Sequence, residues 1–289
     1  MSVAAWIKKN TTSLASKTVA VSGATGGIGQ ALCRHLAALC ATLILLDRNE
    51  KKSRALGEAL QREFPALSVE YLRVDLCEMD TVKEAADALE KRGLDYLVLN
   101  AGAYAVPRFT THGGHDNVFQ INFLAPYYLA RRLLPTLRAR GGRVVAVGSI
   151  AHNSSGTDRD DVEFLTRRRA SLVYGNAKRH LMYALAKEAR NGGVAIVHPG
   201  ITQTNITAHY PKPIWLLIKY PMRVIFMSPR KAALCVLRGL FDGCGEGEWI
   251  GPRVFDVWGY PKKKRLSTAD AAERAFIEEN AEKLYLSLR

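Results

Sequence analysis

The sequence predicts an α/β fold, one single-domain doubly wound parallel sheet in three α/β/α layers, on three observations. Short β-branched runs alternate with amphipathic helical stretches in units of about thirty residues, which requires parallel strands joined by crossover helices. A glycine-rich turn links the first strand to the first helix, the context of a nucleotide-binding loop. The 289 residues, 48% of them hydrophobic, suffice for one sizeable core.

Residues 1–17 read as a polar leader with a short helix around Ala4–Lys9. Strand Thr18–Val21 then runs into Ser22-Gly-Ala-Thr-Gly-Gly-Ile-Gly29 and a helix from Gln30 to Ala37. Gly23 opens a tight turn at positive φ, Gly27 admits a diphosphate against backbone, and Gly29 lets the helix lie close to the strand. The helix start offers free N–H groups and a positive dipole end to phosphate. Its spacing, Gly-x-x-x-Gly-x-Gly, is not that of the general dinucleotide fingerprint, and alone it also reads as an ordinary βα turn.

A second strand, Thr42–Leu46, closes at Asp47-Arg48. A carboxylate there accepts both adenosine ribose hydroxyls and repels a 2′-phosphate, so Asp47 favours NAD, while Arg48, a good phosphate partner, pulls towards NADP. Asp47 could instead cap the helix Asn49–Phe64. Strand Ser68–Val74 leads to Asp75-Leu76, a carboxylate placed for an adenine amino group, and a helix follows over Asp80–Lys91. The buried strand Leu94–Leu99 breaks at Asn100-Ala101-Gly102. A long helical stretch spans Gly114–Leu137, a strand from Arg143 ends in Ser149, and Val194–His198 is the next strand. Pro229–Phe241 reads as a helix, Glu248–Gly251 as the last strand, and Ser267–Arg289 as a terminal helix with Ala271, Ala275 and Leu284 on one side.

Ser22-Gly-x-x-x-Gly-Ile-Gly29, Asn100-Ala-Gly102, Asn122, Ser149, Tyr174-Gly-Asn-Ala-Lys178 and Pro199-Gly200 with Thr204 follow one another over about residues 18–204. In that order they resemble the short-chain dehydrogenase/reductase family, whose fold is a Rossmann-type sheet. Gly148-Ser-Ile-Ala-His152 and His198-Pro-Gly-Ile-Thr-Gln-Thr-Asn205 are similar to the retinol-dehydrogenase-like branch. Ser22 replaces the loop's usual threonine, and Gly148 stands where a serine often precedes the catalytic one. The resemblance implies hydride transfer between a nicotinamide dinucleotide and an alcohol or ketone, with Asn122, Ser149, Tyr174 and Lys178 catalytic. It also implies that Ser22, Gly23, Thr25, Gly26, Gly27, Ile28, Gly29, Asp47, Arg48, Asp75, Leu76, Asn100, Ala101, Gly102, Tyr174, Lys178, Pro199, Gly200, Thr202 and Thr204 hold the cofactor, NAD or NADP, and that the chain forms a homodimer or homotetramer.

These residue types suit the chemistry. A free phenol, pKa near 10, is a poor acid–base group near neutrality unless its phenolate is stabilised. Tyr174 and Lys178 are i and i+4 on one helix face, so the ammonium is expected to lower the phenol's pKa. Ser149 can hydrogen-bond the substrate oxygen, and by resemblance Asn122 orders a water that feeds protons to Lys178. His152 and His198 read as structural residues, and the polar insertion His152–Ser171 as a surface excursion rather than a new domain.

Other features bound the classes of function. The five cysteines include no Cys-x-x-Cys pair, so buried thiols in a reducing compartment are expected and no metal site. Neither a signal peptide nor an apolar run of about eighteen residues is present, which points to a cytoplasmic protein. The net charge of +14 is spread rather than striped with aromatics, so it reads as a solvated surface and not a nucleic-acid footprint. Lys262–Arg265 likewise reads as a solvated loop run. Residues 205–228 form the expected substrate lid, with Trp215, Leu216, Ile218, Met222 and Phe226 as walls for a lipophilic substrate. A core-covering pair of short helices is the second reading of that segment, and a membrane-surface helix the least favoured. Phe255, Trp258 and Tyr260 either close over the site or pack a partner chain. The rival class is a nucleotide-sensing protein on the same fold, which needs none of Asn122, Ser149, Tyr174 and Lys178.

Overall fold

Valine, isoleucine and leucine fill both faces of the central strands, and such strands are stable only between two helical layers. The computed structural model describes residues 1–189, 192–202 and 226–288. Its one sheet runs β3 (Val69–Arg73), β2 (Thr42–Asp47), β1 (Thr18–Ser22), β4 (Tyr96–Leu99), β5 (Arg143–Val147), β6 (Val194–Val197), β7 (Glu248–Val254) and β8 (Trp258–Arg265). The first seven are parallel; β8 returns antiparallel to β7, with Trp249 paired to Lys264 and Pro252 to Pro261. In one helical layer α2 (Gly27–Ala37) packs between α3 (Glu50–Glu63) and α8 (Pro229–Phe241), with α1 (Val3–Asn10) against α8. The other holds α4 (Met79–Arg92), α6 (Ala125–Ala139), α7 (Ala170–Ala189) and α9 (Ala271–Ser287). The sheet reverses its strand order between β1 and β4, where folds of this kind bind ligands at the carboxyl ends of the strands.

Four expectations are corrected. The long stretch Gly114–Leu137 is not one regular helix: α5 (Asn117–Phe119) passes through a π-turn, Gln120–Leu124, before α6 begins. Residues 262–265 are not a solvated loop but half of β8, so Glu248–Gly251 does not lie in the last strand. On α9 the buried side chains are Ile277, Ala281 and Tyr285, while Ala271 and Ala275 are exposed. The insertion after His152 remains on the surface, yet Phe164 is buried with Val118 and Val173 in a small second core that also contacts Tyr174.

Gly29 has a tighter constraint than close helix–strand packing. A Cβ there would lie 2.2 Å from the Gly23 carbonyl oxygen and 2.8 Å from the Ala24 Cα, so the helix start leans on the loop's own backbone. Gly29→Ala must displace one of the two, and overpacking of this kind costs about 1–3 kcal/mol. The expected outcome is a melting temperature lower by several degrees together with weakened dinucleotide binding; a variant that matches wild type in both by calorimetry and titration refutes the packing argument.

Candidate active site

The loop between β1 and α2 turns at Gly23, whose φ of +64° and contact with Ala101 exclude a side chain. Gly26 is the N-cap of α2 and brings no side chain to the free N–H groups of the first turn, which also lacks an acid. Gly26 and Gly27 are exposed, and Ile28 is half-buried. That uncapped helix start is suited to an anion. Thr25 ties the loop to β2: its N–H and hydroxyl donate to Asp47 Oδ1 at 3.2 and 2.9 Å. Ser53 donates to Asp47 Oδ2 at 3.0 Å, and the cap of α3 is Asn49, so Asp47 is not the helix cap. Arg48 is exposed, with Nε 4.0 Å from an Asp75 carboxylate oxygen. Asp75 accepts the Cys77 N–H at 3.0 Å, and the Leu76 carbonyl accepts from Gln120 at 2.9 Å.

Ser22 and Asn100 brace the strand ends. The Ser22 hydroxyl accepts the N–H groups of Asn100 and Ala101, and Asn100 Nδ2 donates to the carbonyls of Ser22 and Gly23. These side chains are committed to holding β1 and β4 together, so their closeness to a cofactor is through backbone.

Ser149, Tyr174, Lys178 and Asn122 converge beyond the ends of β4 and β5. Ser149 caps the short 3-10 turn Ile150–Ser154, its hydroxyl accepting the Ala151 N–H at 3.2 Å, and its side chain acts on the Tyr174 phenol in the direction that favours the ionised form. Helix α7 presents Tyr174 and Lys178 one turn apart, with the Lys178 Nζ 5.9 Å from the tyrosine ring centre. Lys178 is 2% exposed, and its Nζ donates to the Val147 carbonyl at 2.8 Å. Asn122 lies in the π-turn, a feature frequent at functional sites, with its amide bonded to the Ala103 backbone and the Val118 carbonyl. A Cβ on Gly102 would stand 2.9 Å from Asn122 Oδ1 and 3.6 Å from Lys178 Nζ, so this glycine keeps open the approach to both.

Electrostatically, the site differs from the expectation in one respect. Burial pushes the Tyr174 phenol up to about 12; the Ser149 hydrogen bond opposes this, and neighbouring Tyr104 adds to it. Lys178 is not among the influences lowering it. Burial instead drives Lys178 itself down to about 7, because its ammonium has a carbonyl partner and no carboxylate.

Three residues escaped the sequence reading. Tyr104 sets its ring edge-on to Tyr174, centres 5.3 Å apart and planes at 85°. Its signal was its place just after Asn100-Ala-Gly102. Arg179, buried beside Lys178, pairs with Glu273 at 2.5 Å and donates to the His152 carbonyl at 2.8 Å, tying the serine turn to α9. Phe164 supports Tyr174 from the insertion and has no local signal. His152 and His198 are structural as expected: each ring packs on Trp249 and bonds a backbone carbonyl. Gly200, at φ +86°, turns the chain after Pro199, and Thr202 is buried and bridged to Met227. Thr204 lies outside the described residues, as do Trp215, Leu216, Ile218 and Met222 of the expected lid; Phe226 is half-buried. The cysteines are free, with Cys33, Cys235 and Cys244 buried, and no metal-binding cluster occurs among the described residues. None of the described helices is long and apolar enough to cross a membrane.

Residues 17–161 match the family model for short chain dehydrogenases. The chain belongs to that family. Human polyprenol dehydrogenase is 29% identical over 242 residues, covering 76% of this chain and 73% of its own. Human retinol dehydrogenase 13 is 29% identical over 226 residues, covering 71% and 68%, so the chain sits on the retinol-dehydrogenase-like side of the family. Among solved structures, a short-chain dehydrogenase from Sphingobium yanoikuyae in complex with NADPH superposes with a TM-score of 0.54 at 25% identity, covering 66% of this chain and 74% of that one.

A buried lysine without a carboxylate gives the dinucleotide-free protein a pH signature. Below about pH 7 Lys178 is protonated in folded and unfolded chains alike, and the burial cost is fully present. Above it the folded lysine has lost its proton while the unfolded one, near 10.5, keeps it, so this group's contribution to stability rises with pH up to that value. Lys178→Met removes the effect. The melting temperature of the variant should exceed that of wild type at pH 7 by a margin that shrinks towards pH 10; a margin constant with pH contradicts the buried-ammonium picture.

Proposed function

We propose that the protein is an NAD(P)-dependent oxidoreductase that interconverts a hydroxyl and a carbonyl on a lipophilic small molecule. The convergence of Ser149, Tyr174, Lys178 and Asn122 opposite a glycine loop with an uncapped helix start carries this reading. Gly102, whose lack of a side chain leaves its backbone close to Asn122 and Lys178, and a Lys178 held by a carbonyl alone fit a nicotinamide ribose. A nicotinamide dinucleotide, when bound, supplies the hydride donor or acceptor. Thr25 to Gly29 would hold its diphosphate, Asp47 and Arg48 its adenosine ribose, Asp75 and Leu76 its adenine. Asn100 to Gly102 with Lys178 would hold the other ribose, and Pro199, Gly200, Thr202 and Thr204 the carboxamide. The NADPH complex of the Sphingobium relative supports a cofactor of this class. The names of the human relatives, a polyprenol and a retinol dehydrogenase, support a lipophilic alcohol.

The chain's own residues handle the proton. Ser149 orients the substrate oxygen towards Tyr174. The neutral phenol, favoured by burial, gives its proton to the carbonyl oxygen during reduction, and the phenolate that this leaves is the form that takes the proton from the hydroxyl during oxidation. Asn122 stands beside Lys178 along the route by which that proton is exchanged.

Positioned acid–base groups contribute about two to four orders of magnitude. Tyr174→Phe should therefore lose turnover by that factor while dinucleotide affinity changes little, as read by a screen of alcohols and carbonyls at the absorbance of the reduced ring. Undiminished turnover removes Tyr174 from the mechanism, and wild-type protein that binds dinucleotide yet turns over nothing in the screen favours a nucleotide sensor. A second measurement bears on the cofactor. The buried Asp47 carboxylate at the ribose end leads us to expect tighter binding of NADH than NADPH in a fluorescence titration, and the opposite order would mean that exposed Arg48 decides.

A further inference from the structure

The hairpin between β7 and β8 carries at its tip three apolar side chains that the core does not bury. Val254 is 43%, Phe255 87% and Trp258 45% exposed. The turn closes with the Val257 N–H on the Val254 carbonyl, and its central residues, Phe255 and Asp256, take positive φ of 47° and 59°. Turns with positive φ are normally given to Asn or Gly, because an L side chain is strained there. A bulky ring in that conformation, turned to solvent, has no purpose in stabilising the chain.

The surround of the tip is cationic. Arg253 is exposed beside Gly259, Lys262 is exposed on β8, and neither has a carboxylate partner among the described residues. Lys231, from α8, sits 3.5 Å over the Trp258 ring and 4.9 Å from that of Tyr260. The one acid of the turn, Asp256, is spent on Lys264. An aromatic edge flanked by Arg253 and Lys262, both without a carboxylate, and by Lys231, stacked on Trp258, suits the boundary between anionic headgroups and acyl chains.

We propose that this hairpin tip docks the protein on an anionic lipid surface, Phe255 and Trp258 entering the headgroup boundary while Arg253, Lys231 and Lys262 meet the phosphates. The tip adjoins the site. A Cβ at Gly200 would lie 2.7 Å from the Val257 carbonyl, and Ile201, the next residue, is 37% exposed. Resting on the reading of a lipophilic alcohol as substrate, this placement turns the mouth of the site to the phase in which such an alcohol dissolves. A second copy of the chain is a poorer occupant. Three side chains on a bent hairpin fall short of the roughly 800 Å² per partner of a stable interface, and pairing β8 edges between copies would set Lys262 and Arg265 against their own like.

Full-length protein is sedimented with vesicles of phosphatidylcholine, alone or with about 30% phosphatidylserine. The expected result is binding to the anionic vesicles only, weakened between about 0.1 and about 0.5 M salt. Phe255→Gly, which suits the turn's positive φ and so preserves the fold, should weaken binding at least about tenfold. Arg253→Glu combined with Lys262→Glu should abolish it, and both proteins should retain wild-type turnover of a water-soluble alcohol without vesicles. Absence of binding, equal binding to both vesicles, or variants that bind like wild type overturns the proposal. So does a dimer in light scattering that Phe255→Gly converts to monomer, since a second copy would then cover the tip. Vesicle binding by a protein inactive on every alcohol and carbonyl leaves the docking intact and defeats the functional reading; activity without vesicle binding does the reverse.

Discussion

A parallel sheet brings every strand end to one edge, and the N–H and carbonyl groups buried there must find partners. In this protein side chains of the candidate site supply many of them. The Ser22 hydroxyl takes two N–H groups of the segment after β4, and Asn100 covers two carbonyls of the glycine loop. Lys178 covers the last carbonyl of β5, while the Gly148 and His198 N–H groups bond the carbonyls of Val197 and Ile250. The groups that finish the sheet therefore lie where a ligand would bind. Their geometry is as rigid as the sheet, and altering one for chemistry also loosens a strand end.

The second determinant is charge under burial. Tyr174 and Lys178 share a helix face, yet each is pushed towards its neutral form, the phenol up and the ammonium down. A site in that state has both groups poised to respond to a charge brought into it, which suits a ligand whose ring changes charge during reaction. Surrounding contacts keep the pair from relaxing. Phe164 and Val173 pack under Tyr174, Tyr104 meets its ring edge-on, and Arg179 locks the serine turn to α9 through His152 and Glu273.

What could be read from the chain was local. The Gly23–Gly29 turn, the i and i+4 pairing of Tyr174 with Lys178, and the strand ending at Asn100-Ala-Gly102 each carry their geometry in a few adjacent residues, and each lies where expected. The π-turn at Asn122 was not legible, because Phe119-Gln-Ile-Asn-Phe123 has ordinary helical composition and the register shift arises from packing. Strand β8 was missed for a different reason. Gly259 and Pro261 are buried where large apolar residues would be expected, and the four basic residues that follow suit an edge strand with one edge paired to β7. The brace made by Ser22 was not legible either, because its partners are 78 and 79 residues away in sequence. The helix α9 illustrates the same limit, since which of its sides is buried depends on α6 and α7.

Strand β8 also explains the path of residues 198–202. An edge left at β7 would expose a row of unpaired backbone groups, a template for association with other chains. β8 covers that edge and presents Lys262 and Arg265 outward in its place. In doing so it fixes the turn at Asp256, whose carbonyl accepts from His198 at 3.0 Å and whose carboxylate holds Lys264. His198 leads directly into Pro199-Gly200, and Gly200 has room for no side chain because Val257 and Pro252 of the hairpin stand against it. The hairpin is thus part of the frame that sets the path of residues 199–202, which makes one accessory strand responsible both for closing the sheet and for shaping one wall of the site.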